Sequence, residues 1–495
     1  MKLYVDKKSK TSLTRQLYDE LQNRIDSGIL KPNEKLPSVR KLSLQLSISK
    51  MTVVKAYELL EKNGFIYKEH GKGTYVKSKN IDFNHNIEVE EIDKNNWKNN
   101  IEDYIVRKGY RQRNYFNLKE LGCNLAIAGL NERFLPTKTI IDTFIDNYNE
   151  KELGKHSPVE GEKSLIDKVC GYLVDKGVEA SNQEVLITSG SQLAINVIAQ
   201  TFIGHGDVVV VGAPTFSGAI DVFKSRGANV IEVPMTPEGL DVNSLLIQCE
   251  KYPVKALYTM PTFQNPTGIS ASLEVRQEIL SLADEHNFII IEDDCWSDLY
   301  YEEFKKPLKS LDKNNRVIYI AGFSKTLGPS YKLSAVVADE IFLRKLAIVK
   351  STLDTGAPLI NQVMVASYIG SIEHKKHLIW VRDELKQLLM RIKKYLEKIS
   401  PSYVKVTIPK GGLILWLTLP DTFDCKILYY KAIFEENILF ILGENYYSSG
   451  KGGNQLRICF TYDEEEKVLQ GLGKIIDMIK ELHQMIGNGT QIPMT

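Results

Sequence analysis

The sequence has no apolar run approaching the ~20 residues that a membrane-crossing helix needs. Its first residues, MKLYVDKKSKTSLTRQL, lack the apolar core of a secretion signal. Both absences make the cytoplasm the expected compartment. The six cysteines, Cys123, Cys170, Cys249, Cys295, Cys425 and Cys459, are scattered, with no Cys-x-x-Cys pair and no His/Cys cluster at metal spacing. A disulfide framework and a metal centre are therefore not expected, and buried free thiols in a reducing compartment are. No segment repeats at the roughly 20–50 residue period of solenoids and propellers.

With 43% hydrophobic and 25% charged residues, the chain has the make-up of an ordinary globular protein. Its 495 residues imply several folding units. The net charge of +1 conceals an asymmetry. Residues 1–79 hold 14 Lys and 3 Arg against 8 acidic side chains, a net +9, which leaves −8 for the remainder. A basic head on an acidic body suits contact with a polyanion. A merely soluble basic domain would show the same imbalance, because charge alone argues only for non-specific attraction.

Three regions follow: a head over 1–79, a linker over 80–118 and a body over 119–485. In the linker, NIDFNHNIEVEEIDKNNWKNN is dense in Asn and acids and has neither Gly nor Pro. It reads as a locally packed connection with a short helix near Trp97–Val106. In the head, Leu13, Leu17, Leu21 and Ile25 recur four apart, with Ser12 as cap and Gly28 as stop. A second helix begins at Ser38 after Pro37 and buries Val39, Leu42 and Leu46. A tight turn through Ser47–Ser49 leads to a third helix, Lys50–Asn63. Val53, Ala56, Tyr57 and Leu60 form its buried stripe, leaving Lys50, Thr52, Lys55 and Glu58 outward. A hairpin with a Gly71-Lys72-Gly73 tip completes a winged helix-turn-helix, whose third helix would enter the major groove. Glycine at the tip lets backbone approach phosphate, and Lys72 adds charge.

The head resembles the GntR family of bacterial regulators. The matching pieces are G-x-L-K-P-x-x-K-L-P-S-V-R-x-L, T-V-x-x-A-Y-x-x-L and G-K-G-T-Y-V, covering essentially all of it. The resemblance implies double-stranded operator DNA as partner. It implies contacts from Ser38 and Arg40, from Lys50, Thr52 and Lys55 on the third helix, and from Lys72 on the wing.

The body alternates apolar strand-like runs with helical periods: EVLIT, DVVVVGAP, KALYTMP, FIIIEDD and RVIYIAGFS. Such alternation implies βαβ units around a buried, mostly parallel sheet. Four motifs sit where such strands end. Ser189-Gly190-Ser191-Gln192 opens a helix and offers N–H groups and hydroxyls to an anion, though ordinary helix caps use the same residues. PTFQNPTG (261–268) forces a turn and presents the Asn265 amide. IIIEDDCW (289–296) puts carboxylates at the sheet rim, where Asp293 could partner a ring nitrogen, a metal or a helix end. AGFSKTLGPSYKLS (321–334) sets Lys325 between a strand and a Gly/Pro-rich stretch. There an amine of lowered pKa could condense with an aldehyde.

In this order the motifs resemble a type I fold aminotransferase, of the MocR branch joined to GntR heads, over roughly Leu121–His483. The expected fold is thus α/β: a winged helix-turn-helix, a large aminotransferase-like domain and a smaller C-terminal α/β part. The resemblance implies pyridoxal 5'-phosphate as cofactor, with Lys325 as the internal aldimine lysine and Asp293 on the pyridine nitrogen. It places Asn265 near the ring hydroxyl and Phe216 where a Tyr often stacks. Ser189, Gly190, Ser191, Gln192, Ser324 and Lys332 would hold the phosphate, and Arg457 in NQLRICF would clamp a carboxylate. Three positions depart from the family pattern. Cys295 and Trp296 occupy the two places for a ring-oxygen tyrosine. Lys332 with Ser334 replaces Arg-x-Gly, and Phe216 lacks a hydroxyl. They argue for altered cofactor binding and against efficient transamination. The function expected is a homodimeric regulator sensing an amino compound or a B6 vitamer. The alternatives are a working aminotransferase with a secondary head, and a DNA-binding protein with an empty body.

Overall fold

The computed structural model describes residues 12–26, 30, 34–46, 48–62, 64–69, 73–77, 122–147 and 153–487. The expected linker 80–118, its helix near Trp97–Val106, Gly28 and the wing residue Lys72 lie outside them. The chain divides into two compact units, one of Met1–Glu102 with Leu482–Thr495, which holds the head, and one of Asp103–Glu481, the body.

The head contains α1 (Leu13–Asp26), α2 (Val39–Leu46), α3 (Lys50–Lys62) and the antiparallel hairpin β1 (Ile66–Glu69) with β2 (Gly73–Val76). Each helix start follows from a hydroxyl. Ser12 Oγ accepts from the Arg15 N–H at 3.3 Å, Ser38 Oγ from Lys41 at 3.2 Å and Ser49 Oγ from Thr52 at 3.0 Å. Ser38 therefore caps the second helix rather than beginning it. Leu17, Leu21, Leu42, Val53, Ala56, Tyr57 and Leu60 meet in one core with Ile66 and Val76 of the hairpin. Tyr57 is buried there and donates its hydroxyl proton to the Pro37 carbonyl at 2.8 Å, fixing the turn before α2 on α3.

The body opens with β3 (Cys123–Asn124) and then builds the expected, mostly parallel sheet. Its strands are β4 (Val185–Thr188), β5 (Val208–Ala213), β6 (Asn229–Thr236), β7 (Gly239–Leu240), β8 (Val254–Thr259), β9 (Ile289–Asp294), β10 (Val317–Gly322) and β11 (Ser334–Val337). The spatial order is β4-β11-β10-β9-β8-β5-β6-β7. The pairs β10/β9, β9/β8, β8/β5 and β5/β6 are parallel, whereas β11 runs antiparallel to both neighbours. Strands buried on both faces must be apolar throughout. Along β5, Val208 and Val210 enter one core while Val209 and Val211 enter the other. The C-terminal part carries an antiparallel sheet of β12 (Lys405–Thr407), β13 (Ile414–Thr418), β15 (Ile441–Leu442) and β16 (Gln455–Cys459), in the order β12-β13-β16-β15. The intervening β14 (Ile438–Leu439) pairs in parallel with β3, tying the first described residues of the body to its end. Among the described residues no helix is long and apolar enough to cross a membrane.

Candidate functional site

The chain crosses the parallel sheet so that the loops after β4, β5, β8, β9 and β10 open at one edge, the strands' C-terminal ends. Ligand crevices of open α/β sheets form there. Asp293 stands at the end of β9 and is 3% exposed. Its Oδ2 accepts from Tyr258 Oη of the neighbouring β8 at 2.8 Å, while its Oδ1 is buried with no partner. Burial pushes this carboxyl up to about 6, against the opposite pull of the Tyr258 hydroxyl.

Lys325 follows β10 by three residues. Its Nζ donates to the Ala128 carbonyl at 2.5 Å. Burial holds the amine below the usual lysine range, and the Arg457 guanidinium adds to this, while Cys295, Cys459 and Asp293 oppose it. Arg457 comes from β16. Its Nη2 donates to the Ala126 carbonyl, its Nη1 lies 3.5 Å from Asn265 Oδ1, and its Nε is buried without a partner. The guanidinium lies over the Tyr446 ring at 5.6 Å. Lys325, Asp293, Asn265 and Arg457, far apart in sequence, thus share one buried neighbourhood.

The anion side is built on β4. Gly190 caps the helix Ser191–Phe202 at φ 90°, a left-handed conformation that a side chain disfavours. A Cβ on Gly322 would come within 2.9 Å of both Ser191 Oγ and Cys295 Cβ, so this turn lies directly against the Lys325 loop. Ser189 Oγ donates to Asp354 Oδ2 at 3.4 Å, and Asp354 Oδ1 takes a bond from the fully buried Lys350 at 2.6 Å. Gln192 is exposed and donates to the Gly218 carbonyl at 3.0 Å. Phe216 is half-buried, its ring beside Gly218. Ser324 is half-buried, whereas the Lys332 side chain is exposed at φ 45°, and only its carbonyl approaches Gly190. Trp296 is buried, with its Nε1–H unpartnered.

Sequence reasoning missed Tyr258, the Ala126 and Ala128 carbonyls and the Lys350–Asp354 pair. Tyr258 left a signal, as the one aromatic ring of its strand, Val254–Thr259. The carbonyls left none, because any residue type supplies one.

In the head, Ser38, Arg40, Lys50 and Lys55 are exposed, as expected of a DNA face. Thr52, expected on the same face, is half-buried, and its hydroxyl shares a 2.8 Å hydrogen bond with Ser49 at the start of α3.

Comparison with known proteins follows this division. Residues 126–472 match the family described as "Aminotransferase class I and II", and residues 13–76 match "Bacterial regulatory proteins, gntR family". The chain is 27% identical over 461 residues to the HTH-type transcriptional regulator NorG of Staphylococcus aureus, covering 90% of this chain and all of that protein. It is 36% identical over 310 residues to aromatic-amino-acid aminotransferase 1 of Thermococcus litoralis, covering 61% of this chain and 74% of that protein. Among solved structures, Pyrococcus horikoshii kynurenine aminotransferase in complex with PMP aligns with a TM-score of 0.72 at 31% identity, over 76% of this chain and 94% of that one.

A pyridoxal phosphate molecule fits the residues present. A buried carboxylate oxygen without a partner awaits a donor such as a protonated ring nitrogen. The half-buried Lys325, whose amine is held below the usual lysine range, stands nearby, and the helix N-terminus at Gly190 lies against its loop.

Proposed function

Since the chain belongs to the class I and II aminotransferase family and begins with a gntR-type head, we propose that it is a pyridoxal-phosphate-dependent, DNA-binding transcription regulator. Its body senses an amino compound or a B6 vitamer through Lys325. The observation that carries this reading is the meeting of Lys325 with the buried Asp293 and Arg457 in a chain whose residues 13–76 also match the gntR family. The likeness to a regulator over 90% of the chain supports it over the enzyme reading, since the Thermococcus litoralis aminotransferase aligns with 61% of the chain.

When bound, the cofactor supplies an aldehyde for amines and an electron-withdrawing ring. Asp293, held by Tyr258, keeps a negative charge at the ring nitrogen. Asn265 orients the ring's oxygen side, and Trp296 Nε1 offers a further donor in place of a tyrosine. Ser189, Gly190, Ser191, Gln192 and Ser324 bind the phosphate, with Lys332 contributing charge from the rim. Phe216 covers the ring face. Lys325 stays a usable nucleophile because burial keeps its amine short of protons. Arg457 gives up the Ala126 carbonyl to clamp an effector carboxylate bidentately. Ser38, Arg40, Lys50, Lys55 and the wing bind operator DNA. Homodimeric heads in the cytoplasm would read two half-sites.

Absorbance spectra of the purified protein beside Lys325→Ala test this reading. A visible band should be present, be lost in the variant and shift with the effector. Rapid conversion of the cofactor to its amine form by a common amino acid would favour the enzyme reading instead. No band even with added cofactor would refute both.

A further inference from the structure

A second cavity, about 330 Å³ in volume, lies in the body, and none of the residues named above for cofactor or effector lines it. That volume is at the small end of the roughly 300–1,000 Å³ of ligand pockets. Its floor is a closed charge network. Lys176, 4% exposed, reaches Ser297 Oγ at 2.7 Å, Asp298 Oδ1 at 3.1 Å and Asp294 Oδ2 at 3.7 Å. Tyr172 donates to the other Asp298 oxygen, and Ser297 and Tyr319 each donate to Asp294 Oδ2 at 2.6 Å. The floor is rigid and its charges are satisfied.

The wall is not. Arg382 spends Nε on the Asp298 carbonyl and Nη1 on Tyr300 Oη, both at 2.7 Å, and stacks 4.0 Å above the Tyr300 ring. Its Nη2 has no partner among the described residues. His374 accepts the Gly370 N–H on Nδ1 at 3.2 Å, so its proton sits on Nε2. Burial holds its pKa down to about 4, leaving the ring a neutral donor. The lining carries Lys176, Arg382 and Lys375 against Asp175 and Asp298, one net positive charge. The same lining supplies flat and aliphatic surfaces: Tyr300 edge-on to Phe304 at 5.7 Å, with Leu378 and Ile379.

We propose that this cavity is a second ligand site, for a small aromatic monocarboxylic acid. The ring lies among Tyr300, Phe304 and Ile379, and the carboxylate takes the free Arg382 Nη2–H with the His374 Nε2–H. A single negative charge matches these donors. A phosphate dianion would face Asp298 and Asp175 with only one net positive charge to meet it. The site stands on its own lining and does not depend on the sensing role given to Lys325.

The test is calorimetric titration of the cofactor-loaded protein with phenylacetate, whose lack of an amine prevents reaction at Lys325. An Arg457→Ala background removes capture by that guanidinium. Phenylacetate should still bind in Arg457→Ala. Adding Ile379→Glu, at a position 57% exposed and so safe for folding, should weaken binding about ten-fold or more by placing like charge at the mouth. Arg382→Gln should do the same. The proposal is overturned if Arg457→Ala shows no binding up to millimolar phenylacetate. Equal affinity with and without Ile379→Glu overturns it too.

Discussion

In the cofactor-free protein the Asp293 carboxyl titrates at about 6 instead of its ordinary 3.8, because burial penalises the charged form. As pH rises from about 4, the unfolded chain loses this proton first. Stability is therefore lost through the window up to about 6 and stays lower above it. The cost above that window is on the order of 3 kcal/mol. Asp293→Asn should accordingly raise the melting temperature of the cofactor-free protein at pH 8 much more than at pH 4. The same variant should bind pyridoxal phosphate more weakly, since the neutral amide cannot hold a proton on the ring nitrogen. Thermal melts at the two pH values and a cofactor titration check both halves. Equal gains at both pH values would contradict the assignment of the shift to burial. Arg457 belongs to the same scale. Replacing it with Ala should leave the visible band in place while abolishing its shift with carboxylate-bearing effectors, read by titrating the spectrum.

At the scale of elements, the head depends on hydroxyl caps and one buried phenol. Ser49 caps α3 and also engages Thr52. Ser49→Ala should cost the head about 1 kcal/mol, seen as faster hydrogen exchange along α3 with the body's helices unchanged. Tyr57→Phe leaves the Pro37 carbonyl without its phenol donor and should cost a further 1 kcal/mol or so. Helix starts were legible in the sequence because a cap is a local event, one side chain bonding an N–H three residues on. Strands of the large sheet were legible for a different reason. Burial on both faces favours continuous apolar runs, and β5 and β10 consist of little else, while β9 begins with three isoleucines before its acidic end. The pairing of β3 with β14 was not legible, since two-residue strands carry no periodicity.

At the scale of the molecule, a basic head and an acidic body predict how DNA binding responds to salt. Each phosphate contact contributes roughly 0.9 to the slope of log K against log salt. Lys50→Ala and Lys55→Ala should each reduce that slope by about that amount, measured by fluorescence anisotropy with an operator fragment across a salt series. Affinity should fall for all sequences alike, because phosphate contacts position the protein without reading bases. An unchanged slope would mean that these exposed lysines do not face the duplex.

The sequence by itself determined the two-part plan, the winged helix-turn-helix and the parallel sheet, each carried by local spacing or hydrophobic pattern. Its resemblance to the aminotransferase-like family pointed to Lys325, Asp293, Asn265 and Arg457. Only the tertiary structure decided which groups keep those residues company. Tyr258 meets Asp293 because β8 and β9 are neighbours in register. Arg457 and Lys325 rest on main-chain carbonyls of residues 126 and 128, whose side chains say nothing about it. The cavity beside Arg382 arose where helix Ile372–Ile399 passes the loop after β9. Such contacts join residues tens to hundreds of positions apart, and their energies depend on distance and burial that no sequence window contains.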